Sequence, residues 1–202
     1  MANQITDEKM IEKLDRMAAE QASRPVVVFS DDQLRGFITD AVQAEAHNLS
    51  VGYVVEIIDN VFDIDEFSEH YRSENCNVRD YDPEDLKILV EGMTVCKGLK
   101  GGRSNRICFC LKAIKEVQSE YQFTEAGIRR HLRVIVRHEF RHAAQFTYLI
   151  RKGGIALADH VVDLDASGAY GVGILEADAI RFQDSDQGDV YEGLDEIFVD
   201  VA

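Results

Sequence analysis

The sequence predicts an α+β fold, a small sheet packed on helices, and three observations lead to this prediction. Short stretches with β-branched or alternating apolar residues indicate strands, as at 24–30 and 105–114. Apolar residues at helical spacing behind a capping residue indicate helices, most clearly over 124–151. The chain has 202 residues, 46% of them hydrophobic, which is enough for one sizeable core. We therefore expect a single domain over 1–202.

The chain begins with a predicted helix followed by a predicted strand. Apolar residues recur at helical spacing over 6–22, and "RPVVVFS" (24–30) has the β-branched content of a short strand. Ser30 and Gln33 form a capping-box pattern, which predicts that a second helix begins at this point.

The next two stretches complete an N-terminal part that we expect to be mainly helical. Residues 54–62 have a helical period but are rich in β-branched residues, so helix and strand both remain open. The stretch 82–102 predicts a helix of about four turns, with Asp82 as N-cap and Pro83 in the first turn. The role of this part, 1–100, is not assigned by its sequence.

The second half of the chain has clearer boundaries. Apolar and polar residues alternate over 105–114, which predicts an edge strand with one wetter face. Thr124 can cap a long helix that ends near Arg151, where two glycines follow. Residues 174–182 predict a short helix, and 184–202 form an acidic tail whose interleaved apolar residues favour docking on the domain.

Charge and hydropathy exclude several classes of function. The formal net charge is -15, from 37 acidic and 22 basic residues, which makes nucleic acid an unlikely partner. No apolar run approaches the roughly 20 residues of a membrane span, and the N-terminus lacks the pattern of a signal peptide. We expect a cytoplasmic protein. The four cysteines lack metal-site spacing and are interpreted as reduced, buried thiols: Cys76, Cys96, Cys108 and Cys110.

The segment "RVIVRHEFRHAAQF" (133–146) contains the chemistry-bearing pattern His-Glu-x-x-His. Residues four apart on a helix lie about 40° from each other, so His138 and His142 face the same way. Two such imidazoles can bind one Zn²⁺, and Glu139 can then act as the base that activates water. The alternative is an ordinary polar stripe on an amphipathic helix. We favour the zinc site because the pattern lies within a strongly predicted helix.

The same helix carries a row of arginines at four-residue spacing: Arg129, Arg133, Arg137 and Arg141. Like charges at this spacing repel one another unless acidic groups lie nearby. The acidic tail is one candidate partner, and a fully solvated row is an equally favoured alternative. A carboxylate or phosphate of a substrate is a third, less favoured one.

A catalytic zinc usually has three protein ligands, so a third one is expected downstream. Glu176 lies in the predicted helix 174–182, and His160 lies closer in sequence. Spacing alone leaves both candidates open.

Two segments resemble known metallopeptidases. "HEFRHAAQF" resembles the zincin family, and "EADAIRF" resembles the segment that follows it in ImmA/IrrE-like gluzincins. The resemblance covers about 105–182 and implies a zincin-like fold with a metallopeptidase core over 103–182. It also implies Glu176 as third zinc ligand and Ala179 and Phe182 in packing positions. The SprT-like family is the runner-up and would use His160 instead. The chain departs from the zincin pattern at Arg141, where an uncharged residue is usual.

The resemblance implies a zinc-dependent peptidase acting on a protein or peptide substrate, which the strand Ile107–Leu111 would align by β-addition. A zincin-like binding protein without turnover is the alternative. Residues that could support the zinc ligands or an oxyanion are Asp163, Asp165, Asp178 and Tyr170.

Overall fold

The computed structural model describes residues 27–50, 52–60, 62–63, 87–88, 90–166, 173–185 and 188–199. The predicted helix 6–22, Cys76 and Tyr170 lie outside these residues.

In the part of the chain that the structure describes, five strands form two small sheets. They are β1 (Val54–Ile58), β2 (Phe62–Asp63), β3 (Lys87–Ile88), β4 (Gly92–Val95) and β5 (Arg106–Cys110). The larger sheet has the order β1-β5-β4, with β1 parallel and β4 antiparallel to β5. Strands β2 and β3 pair with each other in antiparallel orientation.

The position of β5 corrects the prediction of an edge strand with a wetter face at 105–114. β5 is the central strand of the larger sheet. β4 forms the edge of this sheet that packs against the long helix beginning at Glu125. Ile107 and Phe109 are buried in the main core, whereas Cys108 and Cys110 are buried in a smaller cluster on the other face. The alternation therefore separates two covered faces, because both sides of this strand pack against apolar groups.

The structure also decides three expectations for the N-terminal part. The stretch 54–62, left open between helix and strand, contains β1. The helix predicted over 82–102 is wrong, since β3 and β4 lie there and β4 pairs with β5. The strand predicted at 24–30 is also wrong for its described part, as 27–30 are irregular. The N-terminal part is thus not simply helical, because it supplies two of the three strands of the larger sheet.

The described helices are α1 (Asp31–Ala44), α2 (Leu111–Tyr121), α3 (Glu125–Ala166), α4 (Ile174–Gln183) and α5 (Leu194–Ile197). The α+β class is confirmed. The predicted capping box begins α1, since Ser30 accepts from the backbone of Gln33 and the Gln33 side chain accepts from Ser30. Thr124 caps α3 as predicted, because its hydroxyl accepts from the Gly127 amide at 3.1 Å.

The core is built where α1, α3 and the sheet meet. Phe140, Ala143 and Leu149 of α3 are buried there, and none of the described helices has the length and apolar character of a membrane span. The described part of the tail docks as expected, with Val190 and Leu194 buried in the same core. Cys96, Cys108 and Cys110 are buried and lie outside any disulfide bond of the described residues, in agreement with the interpretation of these three thiols.

The long helix α3 is broken where the two glycines were expected to end it. Gly153 and Gly154 have non-helical backbone angles, and the chain then returns to helix up to Ala166. Gly154 has φ 75° and ψ -174°, a conformation that is essentially reserved for glycine. The break sets the direction of the segment that leads to α4.

We predict that Gly154→Ala lowers the free energy of unfolding by about 1–3 kcal/mol, because a Cβ strains this backbone conformation. Gly36→Ala is the matched control. Gly36 lies inside α1 with open space around its Cα, so alanine should stabilise the protein by about 0.5–1 kcal/mol. Urea unfolding of both variants provides the measurement, and equal effects of the two substitutions would contradict the role of the break.

Candidate metal centre

Three side chains converge at the contact between α3 and α4. His138 and His142 lie one turn apart on α3, and Glu176 lies in the first turn of α4. The two Nε2 atoms are 3.0 Å apart, and the Glu176 oxygens lie 3.5 Å from His138 Nε2 and 3.4 Å from His142 Nε2. Among the described residues, these three form the one group of three or more side chains placed to hold a metal ion.

Helix α4 is held in place by packing and by a cap. Ala179 and Phe182, the two expected packing positions, are fully buried. Asp165, at the end of α3, accepts a hydrogen bond from the Leu175 amide at 2.8 Å and so satisfies one free donor at the start of α4. A Cβ at Gly173 would lie 2.1 Å from the Asp165 carboxyl group, so a side chain there would displace the group that caps α4.

Each imidazole has its other nitrogen against an amide oxygen. His138 Nδ1 lies 2.9 Å from Gln183 Oε1, and His142 Nδ1 lies 2.8 Å from Gln145 Oε1. Because an amide oxygen only accepts, both Nδ1 atoms carry the hydrogen, and both Nε2 atoms present lone pairs in the neutral rings.

The three converging atoms suit a cation. Two lone pairs 3.0 Å apart beside a carboxylate repel one another unless a positive charge lies between them. For bonds of about 2.0–2.1 Å, a regular tetrahedron has edges of about 3.3–3.4 Å. The three observed separations, 3.0, 3.4 and 3.5 Å, lie around this value. The donor set and its spacing thus fit a tetrahedral ion with one open position.

The electrostatics of the metal-free cluster follow from the same contacts. Hydrogen bonds from His138 and His142 lower the pKa of Glu176 well below its ordinary range, although burial acts in the opposite direction. Burial disfavours the charged form of His142, but the Glu176 carboxylate and the charge of Glu139 outweigh it and raise the pKa of the ring. Both directions favour a charged His142 beside an ionised Glu176 in the metal-free cluster.

Glu139 lies beside the cluster, and residues of the sheet hold its side chain in place. Its carboxyl group is buried and accepts a hydrogen bond from Thr94 Oγ1 of β4 at 2.8 Å. A Cβ at Gly92 would lie only 2.8 Å from Glu139 Cγ and Oε1. The edge strand β4 therefore positions this carboxylate in two ways: the Thr94 hydroxyl donates to it, and Gly92 leaves space for it.

The alternative third ligand lies elsewhere. His160 is exposed in the part of α3 that follows the glycine break and is outside the group of candidate ligands. Of the acids expected to support the ligands, Asp163 pairs with Lys100, Asp165 caps α4, and only Asp178 reaches the site, through Gln145.

The arginine row of α3 is paired largely with acids of other helices. Arg129 pairs with Asp40 of α1 and with Glu125, and both Arg133 and Arg137 pair with the buried Glu45 that ends α1. Burial of Glu45 favours its neutral form, yet hydrogen bonds from Arg133 and Asn48 and the charge of Arg137 lower its pKa overall.

Arg141 has the most enclosed position of the row. It pairs with Asp178 of α4, and it donates to the backbone carbonyls of Val190 and Glu192 in the tail. The tail thus meets the row through carbonyl groups, at Arg141 and, by way of Ser185, at Arg137.

Several residues of the site were missed from the sequence. Gln145 follows His142 by three residues, and this helical spacing was a usable signal. Thr94, Gly92 and Gln183 had no such signal, because their contacts join residues 45 or more positions apart, or depend on a strand that was predicted as helix.

No protein-family model, curated protein or solved structure matches this chain. The site is therefore interpreted from its own geometry.

We predict that Glu176→Gln destabilises the metal-free protein most between about pH 5 and pH 6.5. The contribution of Glu176, whose pKa is lowered, is lost as the pH falls below the ordinary range of glutamate. The contribution of His142, whose pKa is raised, is lost as the pH rises through that raised value.

The measurement is urea unfolding of chelator-treated protein at pH 5.5 and pH 9, conditions on either side of histidine titration. Glu120→Gln, a substitution at an exposed site on α2, is the control. It should change the free energy of unfolding by the same amount at both pH values. If Glu176→Gln lowers the free energy of unfolding at pH 9 by as much as at pH 5.5, or by more, the pairing of Glu176 with the two histidines is contradicted.

Proposed function

We propose that the protein is a zinc-dependent metallopeptidase with a zincin-like fold, in which His138, His142 and Glu176 hold the metal. The observation that carries this proposal is the convergence of the three ligand atoms, with separations of 3.0 to 3.5 Å, beside the buried carboxylate of Glu139. When bound, a zinc ion polarises a carbonyl oxygen and makes water acidic enough to be deprotonated near neutral pH.

Glu139 is the residue proposed to move the proton. It follows the first ligand directly and is held by Thr94 rather than by a ligand side chain. Its carboxylate can accept a proton from the attacking water and return it to the leaving amine. The Thr94 hydroxyl lies within hydrogen-bond distance of both Glu139 Oε2 and the Glu139 backbone carbonyl, so it anchors this carboxylate from the sheet.

The substrate class is inferred from β4. The peptide-aligning role expected for Ile107–Leu111 cannot be kept, since β5 has neighbours on both sides. β4 ends the order of the described sheet on the side of Glu139, so its outer backbone groups can pair with an extended peptide. An extended chain placed there would lie along the strand that holds Glu139. A protein or peptide substrate is therefore favoured over a small molecule.

The first test is metal content. We expect about one zinc per chain, and zinc should raise the melting temperature of the metal-free protein, because a ligand of the folded state stabilises it. His138→Ala, His142→Ala and Glu176→Ala should each lose zinc under dialysis. His160→Ala should keep it, and it serves as the matched control because its side chain is exposed and outside the cluster. Zinc retained in Glu176→Ala but lost in His160→Ala would support the SprT-like alternative.

The second test separates the base from the ligands. Glu139→Gln should keep zinc and fold, while its cleavage rate should fall by about 10²–10⁴-fold, the usual contribution of a general base. Cleavage is measured as new peptide N-termini in a cell-extract proteome treated with wild-type protein or the variant. Wild-type protein that binds zinc and generates no new termini would point instead to the binding protein without turnover.

A further inference from the structure

A buried polar network lies behind His142, on the side away from the proposed metal position. Its members are Arg141, Gln145 and Asp178, which are 1%, 0% and 4% exposed. Buried polar groups of this kind must find partners, since an unmade hydrogen bond costs about 1–3 kcal/mol. The partners they find fix the orientation of one amide group.

That amide belongs to Gln145. Its Nε2 donates to the Leu175 carbonyl at 2.9 Å and to Asp178 Oδ2 at 2.7 Å, and both are acceptors. The reverse orientation of the amide would place its oxygen against two acceptors. Oε1 must therefore face His142 Nδ1, 2.8 Å away, so the histidine nitrogen has to be the donor of this contact.

Asp178 is itself fixed by Arg141. Arg141 Nε and Nη2 donate to the two carboxylate oxygens at 2.7 and 3.0 Å, so the pair is bidentate. Arg141 also donates to the carbonyls of Val190 and Glu192, which leaves it little freedom to turn. The chain of contacts thus runs from the tail through Arg141, Asp178 and Gln145 to His142.

We propose that Gln145 is a positioning residue for the metal site: it holds His142 in the tautomer whose Nε2 lone pair faces the metal position. Asp178, held by Arg141, sets the orientation of Gln145. This inference rests on the proposed metal site and deepens it. Asp178 also lies two residues after Glu176 on α4, so one buried ion pair fixes the helix of the third ligand and the ring of the second.

The proposal explains why a glutamine occupies this position. A carboxylate at 145 would still accept from His142 Nδ1, but it would lose the donor to Leu175 and face Asp178 across 2.7 Å. An apolar residue would neither accept from His142 nor donate to Leu175 and Asp178. Only an amide accepts from the histidine and donates to the two acceptors of α4 at once.

The test begins with the unmodified, zinc-free full chain. Nitrogen-15 NMR of the histidine rings, at a pH where they are neutral, should find His142 with its hydrogen on Nδ1. A ring protonated on Nε2 would overturn the proposal. Zinc affinity is then measured by competition with a fluorescent chelator.

Two substitutions and one control separate positioning from packing. Gln145→Leu should weaken zinc binding by about 10–100-fold, the usual effect of losing a partner of a metal-bound histidine, and should release the tautomer. Gln145→Glu should lose stability as well, yet keep the tautomer and bind zinc more tightly than Gln145→Leu. Gln118→Leu is the control, because Gln118 is equally buried and donates to the Val27 carbonyl away from the site.

The outcomes distinguish this inference from the proposed function. If Gln145→Leu binds zinc as tightly as Gln118→Leu, or if affinity only follows stability in all three variants, the positioning role is wrong. If wild-type protein binds no zinc, the proposed function fails, while the His142 tautomer still decides the role of Gln145. If Gln145→Leu does not fold, the wild-type tautomer and Gln145→Glu decide it.

Discussion

The buried ion pair between Arg141 and Asp178 is the contact on which the arrangement of the site depends. It joins three parts of the chain, since Arg141 lies on α3, Asp178 on α4, and the carbonyls of the tail complete the coordination of the guanidinium. Removing one partner of such a pair costs about 3–5 kcal/mol, because the other charge is left buried. The unusual residue of the His-Glu-x-x-His segment is thus the one that attaches the helix of the third ligand to the helix of the first two.

The rest of the arginine row extends the same principle to the N-terminal part. Asp40 and Glu45 come from α1 or its end, and they pair with the three arginines of the row that precede the first histidine. The positive charges of the arginine row therefore favour packing of the acidic residues of α1 against α3. These ion pairs also offset the repulsion between the four arginines of the row.

The sequence was informative wherever a signal is local. The capping residues Ser30 and Thr124 and the helical spacing of His138 and His142 depend on residues within one or two turns, and the structure bears them out. The glycines interrupt the helix where its end was predicted, although helix resumes after them. Glu176 was singled out from a family resemblance, and its contact with both histidines was then found in the structure.

The errors arose where structure depends on distant pairing. β4 was predicted as helix, because strand formation at Gly92–Val95 depends on its antiparallel register with β5 and on the space that Gly92 leaves for Glu139. β5 was predicted as an edge, since an alternating pattern does not reveal how many neighbours a strand has. The contact of Gln183 with His138 is likewise set by the packing of α4 on α3.

The central claim is that one divalent ion binds between α3 and α4. Anomalous X-ray diffraction at the zinc edge, from crystals of the zinc-loaded full chain, tests it most directly. The account predicts one strong anomalous peak within bonding distance, about 2.0–2.2 Å, of His138 Nε2, His142 Nε2 and a Glu176 oxygen. A peak located instead at His160 or at the cysteines, with none between these three side chains, would contradict it.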